Sequence, residues 1–177
     1  KGGISVNETI QTLLTRRSVR KYQNIQIKEN DLNLILKAGS YAPTGMGDQP
    51  WHFVAIQNPE VRARLLDVCK ATNGNDGDPF YGAPTIILVF VNMEACQPVK
   101  DGALAIGNMA NAAASLGLGS CWINIENEYF ETETGAAFKN EILPDARFQS
   151  IGSLAVGYAD EEPAPKPRRE GMITLIK

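Results

Sequence analysis

The sequence has little of what most catalytic machinery is built from. It holds one histidine, His52, so a triad or a histidine-based metal site would have to rest on that residue alone. Its three cysteines, Cys69, Cys96 and Cys121, are odd in number and far apart. That excludes a disulfide framework and a zinc cluster, and points to a reducing, cytoplasmic setting in which each is read as a small buried hydrophobe. Basic charge is also short. The formal net charge is −3 and the pI about 5.2, which excludes a broad nucleic-acid surface. No charge-free apolar run is long enough to cross a bilayer, and no apolar signal-peptide core is seen.

What basic charge there is lies in two windows. Arg16-Arg17-Ser18-Val19-Arg20-Lys21-Tyr22 and Lys166-Pro167-Arg168-Arg169 together carry seven of the 17 Lys and Arg. Arginine forks take phosphate oxygens two at a time, and a neighbouring hydroxyl adds a neutral donor. In an acidic chain, such concentration predicts a compact anion site shared between the two ends. Alone, either window would read as a solvated charged face.

Periodicity gives the elements. Asn7 can cap a helix with Ile10, Leu13 and Leu14 on one face. Residues 28–40 read as a second helix, with Leu32, Ile35, Leu36 and Gly39 on one face and Pro43 beyond its end. Residues 42–51 form a loop rich in Gly and Pro, in which Gln49-Pro50-Trp51 can line a pocket or simply connect to a strand at 52–57. Pro59 starts a third helix. Residues 71–81 read as a mobile loop, whose Phe80-Tyr81 pair can dip into a site or, as the preferred reading, simply pack down. Ile86-Ile87-Leu88-Val89-Phe90-Val91 reads as a strand buried on both faces. Residues 98–116 form the central helix, whose Gly102, Gly107, Ala110, Ala113 and Ala114 would admit another helix or a dimer partner. Gly117 follows as its stop signal. Strands at 118–125 and 149–158 flank an acidic stretch and a helix at 136–142. The Pro-rich tail from about residue 159 runs extended as an arm. Residues 1–177 are expected to form one domain, with Lys1-Gly2-Gly3 set aside.

Three segments in this order resemble the nitroreductase family of FMN-dependent oxidoreductases. They are Arg16–Tyr22, then Ala42-Pro43-Thr44-Gly45-Met46-Gly47-Asp48-Gln49-Pro50-Trp51-His52-Phe53, and then Leu118-Gly119-Ser120-Cys121-Trp122-Ile123 with Gly157-Tyr158 and Pro163–Arg168. The resemblance runs from about Ile10 to Arg169. It implies an α+β fold, a central mixed or antiparallel sheet surrounded by helices, and an intertwined homodimer with FMN at the subunit interface. Arg16, Ser18 and Arg20 match ligands of the FMN phosphate and ribityl chain, with Arg17 in contact, and Lys166 and Arg168 match the basic pair that closes on the phosphate. Thr44, Gly45, Gly47 and Gln49 match the loop reaching FMN from the other subunit. Trp122 and Asn124 fall beside the isoalloxazine ring. Gly47 stands where many members carry Asn, and Asn124 replaces a commonly acidic residue.

The activity so implied is hydride transfer from NADH or NADPH, through flavin N5, to nitroaromatic, quinone or related acceptors. No protein acid–base pair and no metal are expected, because the flavin carries the chemistry. Two other readings stay open on the residues: a flavin-binding sensor or carrier without broad reductase activity, and a small nucleotide- or anion-binding domain without flavin. His52 and Cys121 read as packing rather than chemistry, and Trp51 can be core.

Overall fold

The computed structural model describes residues 6–74 and 76–177; Lys1-Gly2-Gly3 and Asn75, within the loop expected at 71–81, lie outside them. Four strands, β1 (Trp51–Ile56), β2 (Thr85–Asn92), β3 (Gly119–Glu126) and β4 (Phe148–Gly157), form a sheet in the order β1-β2-β4-β3. Every neighbouring pair is antiparallel, which resolves the expected mixed-or-antiparallel choice. Around it lie α1 (Glu8–Thr15), α2 (Glu29–Ser40), α3 (Pro59–Asn73), α4 (Pro98–Ser115) and α5 (Glu133–Ile142), with short 3-10 turns at Gly45–Gly47 and Asn127–Phe130.

Local chemistry explains where the helices begin. The Asn7 carboxamide accepts the Ile10 amide N–H, Asn58 accepts those of Glu60 and Val61, and the Thr132 hydroxyl accepts that of Gly135. Each satisfies donors that the first helical turn leaves open. Pro59 and Pro98 occupy first-turn positions that need no amide hydrogen. Gly74 ends α3 and Gly117 follows α4, both at positive φ.

Strand β2 is the spine. Ile86, Leu88 and Phe90 face a core completed by Leu65, Val68 and Phe138 from α3 and α5. Ile87 and Val89 face the opposite core, with Ile35 of α2 and Ile106 and Met109 of α4. Alternate residues therefore serve two apolar layers, and the run is continuous because neither face meets water. Helix α4 lies between the sheet and α2. A Cβ at Gly39 would come within 2.7 Å of the Met109 side chain, so α2 supplies the gap between the two helices. Gly102 opens toward the sheet instead, where a Cβ would meet Val91 at 2.6 Å and Ile151 at 2.9 Å. Gly107 meets nothing within 4 Å.

Two expectations are corrected. Cys96 is exposed, unlike buried Cys69 and Cys121, because it sits in the turn between β2 and α4 with only its amide N–H tied, to Asp48. The segment expected to be mobile at 71–81 is partly ordered. Helix α3 continues to Asn73, and the Asp78 carboxylate accepts amide N–H bonds from Phe80 and Gly82 while pairing with Arg62. Phe80 is fully buried, but Tyr81 is not.

Candidate functional site

The basic window lies alongside the sheet rather than out in solvent. Val19 N–H donates to the Ser120 carbonyl at 3.0 Å, a bridge between the window and the start of β3. Further on, Gln23 N–H donates to the Tyr158 carbonyl and Asp160 N–H to that of Lys21, both at 2.9 Å. An ion pair of Lys21 with Asp160 at 2.8 Å supports the same seam. The chain leaving β4 thus starts its tail beside the window. From there the extended arm returns Lys166 and Arg168 to Arg16.

Arg16, Arg17, Ser18, Arg20, Lys166 and Arg168, with Pro163 and Ala164, line one cavity of about 260 Å3. These are the residues expected to meet from opposite ends of the chain. None of the five cations is in an ion pair among the described residues, whereas Lys21, Arg62, Arg64, Lys70 and Arg147 all are. Concentrated, unpaired positive charge is what a phosphate dianion would offset. Two members are partly committed. Arg17 Nη1 donates to the Leu14 and Arg16 carbonyls at 2.9 and 2.8 Å, closing the end of α1. The Arg20 backbone N–H donates to the Glu161 carboxylate, while the residue also lines the basic cavity.

Arg16 and Ser18 also line a second, larger cavity of about 620 Å3. Its walls are Leu13 of α1, Val99, Ile106 and Ala110 of α4, and Trp122, Asn124 and Ile151 of the sheet. A basic pocket that shares Arg16 and Ser18 with an apolar-walled one suits a ligand with a monoester at one end and a flat ring at the other. The sheet makes this wall by irregularity. Ile151 has no partner on β2, and on β3 Asn124 and Ile125 stand against the single residue Gly152. Such bulges re-aim side chains. Gly152 has φ 143°, and a Cβ there would lie 2.8 Å from the Trp122 indole nitrogen.

Thr44, Gly45, Gly47 and Gln49 line neither cavity within one chain. They belong to a separate, rigid turn. Thr44 Oγ1 donates to the buried Asp101 carboxylate at 2.8 Å, Gly45 N–H donates to the same group at 3.0 Å, and Gln49 N–H donates to Thr44 Oγ1 at 3.0 Å. Met46 and Gln49 have positive φ of 56° and 47°. Trp51 stacks on Phe53 at 6.3 Å, and exposed His52 meets the Phe148 ring edge to face.

Burial pushes the Cys121 thiol pKa up, against the opposing pull of Arg20, Ser18 and Arg16, so a thiolate is disfavoured there. Tyr22, also raised by burial, donates its hydroxyl to the Val19 carbonyl at 2.7 Å and holds the window's shape. Sequence reasoning missed Asp101 as the anchor of the turn. Its signal was a lone acid within the apolar run at 98–116. Asn111 and Glu126 on the larger cavity had no sequence signal.

Residues 13–158 match the model of the nitroreductase family. The chain belongs to that family. A nitroreductase of Bacteroides fragilis NCTC 9343, solved with bound FMN, is 33% identical, superposes with a TM-score of 0.90, and is covered in full by 97% of this chain. A nitroreductase of Desulfitobacterium hafniense DCB-2, also with FMN, gives 0.88 over 98% of this chain and all of its own, but at 23% identity it shows the fold alone. A protein of Archaeoglobus fulgidus that carries the provisional name NADH dehydrogenase/NAD(P)H nitroreductase is 30% identical over 162 residues, 89% of this chain and 88% of its own. As the nitroreductase fold implies, the arrangement is α+β, and among the described residues no helix is long and apolar enough to cross a membrane.

Proposed function

We propose that this chain is an FMN-dependent oxidoreductase that takes a hydride from NADH or NADPH and passes it to nitroaromatic, quinone or related small acceptors. The observation that carries the reading is the meeting of Arg16 and Arg20 with Lys166 and Arg168 in one basic cavity that opens, at Arg16 and Ser18, onto an apolar-walled one. The FMN named with the Bacteroides fragilis relative supports it.

Arg16, Ser18, Arg20, Lys166 and Arg168 would hold the phosphate, with Arg17 closing the helix end behind them. Trp122, Asn124 and the apolar face of α4 would form the wall for the ring. The bound cofactor supplies the centre that accepts and returns the hydride. The chain's own task is to bind that group, exclude water from its apolar side and leave room for one small partner at a time. No protein acid or base is assigned. Thr44, Gly45, Gly47 and Gln49 would reach the cofactor from a second copy, since in their own chain they line neither cavity. The acting unit is thus a homodimer of whole chains, each with an arm from about residue 159. The free thiols fit a cytoplasmic location.

Purified protein incubated with FMN is expected to turn yellow, to bleach under anaerobic conditions on addition of NADH or NADPH, and to regain colour with a nitroaromatic or a quinone. A colourless protein that takes up no FMN overturns the reading. A yellow protein inert to both nicotinamides transfers the argument to a flavin carrier.

A further inference from the structure

One aromatic residue outside the two cavities is held in a conformation that its own side chain disfavours. Tyr81 has φ 55° and is followed by Gly82 at φ 74°, with Ala83 N–H donating to the Phe80 carbonyl at 3.0 Å. Positive φ at both central residues marks a mirror-image β-turn, whose first central position favours Asn, Asp or Gly. A bulky residue there is an outlier that the surroundings must enforce. They do so thoroughly. Asp78 accepts amide bonds from Phe80 at 2.8 Å and Gly82 at 2.9 Å, and is itself fixed by Arg62 at 2.5 Å. Phe80 is driven into the core with no exposed surface. The tyrosine ring is therefore set at a fixed place at the surface, where the residue stays 41% exposed.

What it meets there is Arg20. The guanidinium carbon lies 5.9 Å from the centre of the Tyr81 ring, within reach of a cation–π contact. Polar contact with Tyr81 is also the largest influence raising the Arg20 pKa above its ordinary value. Arg20 is otherwise an exposed, long side chain with only its backbone tied, to Glu161. Left free, it would lose rotamer entropy each time it closed on an anion.

We propose that Tyr81 is a positioning residue for the cofactor phosphate: the strained turn presents its ring so that the Arg20 guanidinium stays aimed at the basic cavity. This rests on the reading that FMN is the ligand. Strain in the turn is thereby exchanged for a pre-arranged cation, a local trade of stability for binding.

The test uses the whole protein and two ligands, FMN and riboflavin, which lacks the phosphate. Dissociation constants come from quenching of flavin fluorescence, and Tm is measured alongside. Tyr81→Asn is expected to raise the FMN constant roughly three- to tenfold, leave that of riboflavin unchanged, and keep or raise Tm, because Asn accepts positive φ at lower cost. Tyr81→Phe, which keeps the ring, should fall between. In an Arg20→Ala background, Tyr81→Asn should weaken FMN no further, since the effect runs through Arg20. Equal losses for both flavins, an unchanged FMN constant, or a full additional loss in the Arg20→Ala background would each overturn the inference. Wild-type protein that binds neither flavin sinks it together with the proposed function. Wild-type protein that prefers FMN while Tyr81→Asn keeps that preference sinks this inference alone.

Discussion

Arg16 stands at the mouth shared by the two cavities, and Arg168 only at the basic end. That difference predicts different losses. A charge-assisted hydrogen bond contributes about 1.5–3 kcal/mol, so Arg16→Ala should weaken FMN roughly ten- to a hundredfold. Riboflavin should weaken too, since Arg16 also borders the ring cavity. Arg168, on an exposed arm, should cost FMN about tenfold on changing to Ala, with riboflavin unaffected. Titration of each variant with the two flavins reads both. That these cations gather in one place was legible beforehand, because concentrated cations in an acidic chain have few uses. Tyr81 was not, since a positive φ at a non-glycine residue leaves no mark in the letters around it. The cysteines show the same divide. Cys69 lies on the buried face of a helix and its thiol is pushed up to about 12 by burial, whereas Cys96 lies in a turn and faces solvent.

Among the elements, the bulged pair β3 and β4 decides the shape of the ring cavity. Gly152 is there because its backbone sits at φ 143° and the Trp122 indole leaves no room for a Cβ. Gly152→Ala should therefore displace Trp122 and destabilise the fold by about 1–3 kcal/mol, lowering Tm by several degrees. Calorimetry and a shift in tryptophan emission would show it, and a variant with unchanged Tm and emission would refute the role given to this bulge. The helices were readable from caps, prolines and spacing, and their observed ends fall within a few residues of expectation. The strands were readable as apolar runs. Their bulges were not, because a one-residue slip in register depends on the neighbouring strand and not on the run itself.

For the molecule as a whole, the telling feature is what one chain leaves uncovered. Helix α1 buries none of its residues, and Leu13 and Leu14 are 50% and 61% exposed. Leu104 of α4, Trp122, and Met172, Ile173, Leu175 and Ile176 of the arm are also exposed. Apolar surface on this scale fits the proposed dimer interface. The protein should migrate at twice its 19.2 kDa chain mass. Leu14→Asp, harmless to a lone chain because the position is exposed, should return it to the single-chain mass and, if the proposed second-copy role of the Thr44–Gln49 turn holds, weaken FMN by at least about tenfold. Analytical ultracentrifugation with flavin titration decides it. A wild-type protein that sediments at one chain mass with FMN bound would exclude the homodimer.

Composition, spacing and charge were enough by themselves to set the helices, the buried strands, the family resemblance and the cations that would bind a phosphate. Each of these follows from a residue's own chemistry or from neighbours a few positions away. Only the tertiary structure decided that the arm returns beside the basic window, that Asp101 holds the Thr44–Gln49 turn, that Gly152 gives way to Trp122, and that Tyr81 lies against Arg20. Those pairings join residues tens of positions apart, and closing such loops is settled by the sheet and the two cores around it, which no short stretch of chain encodes.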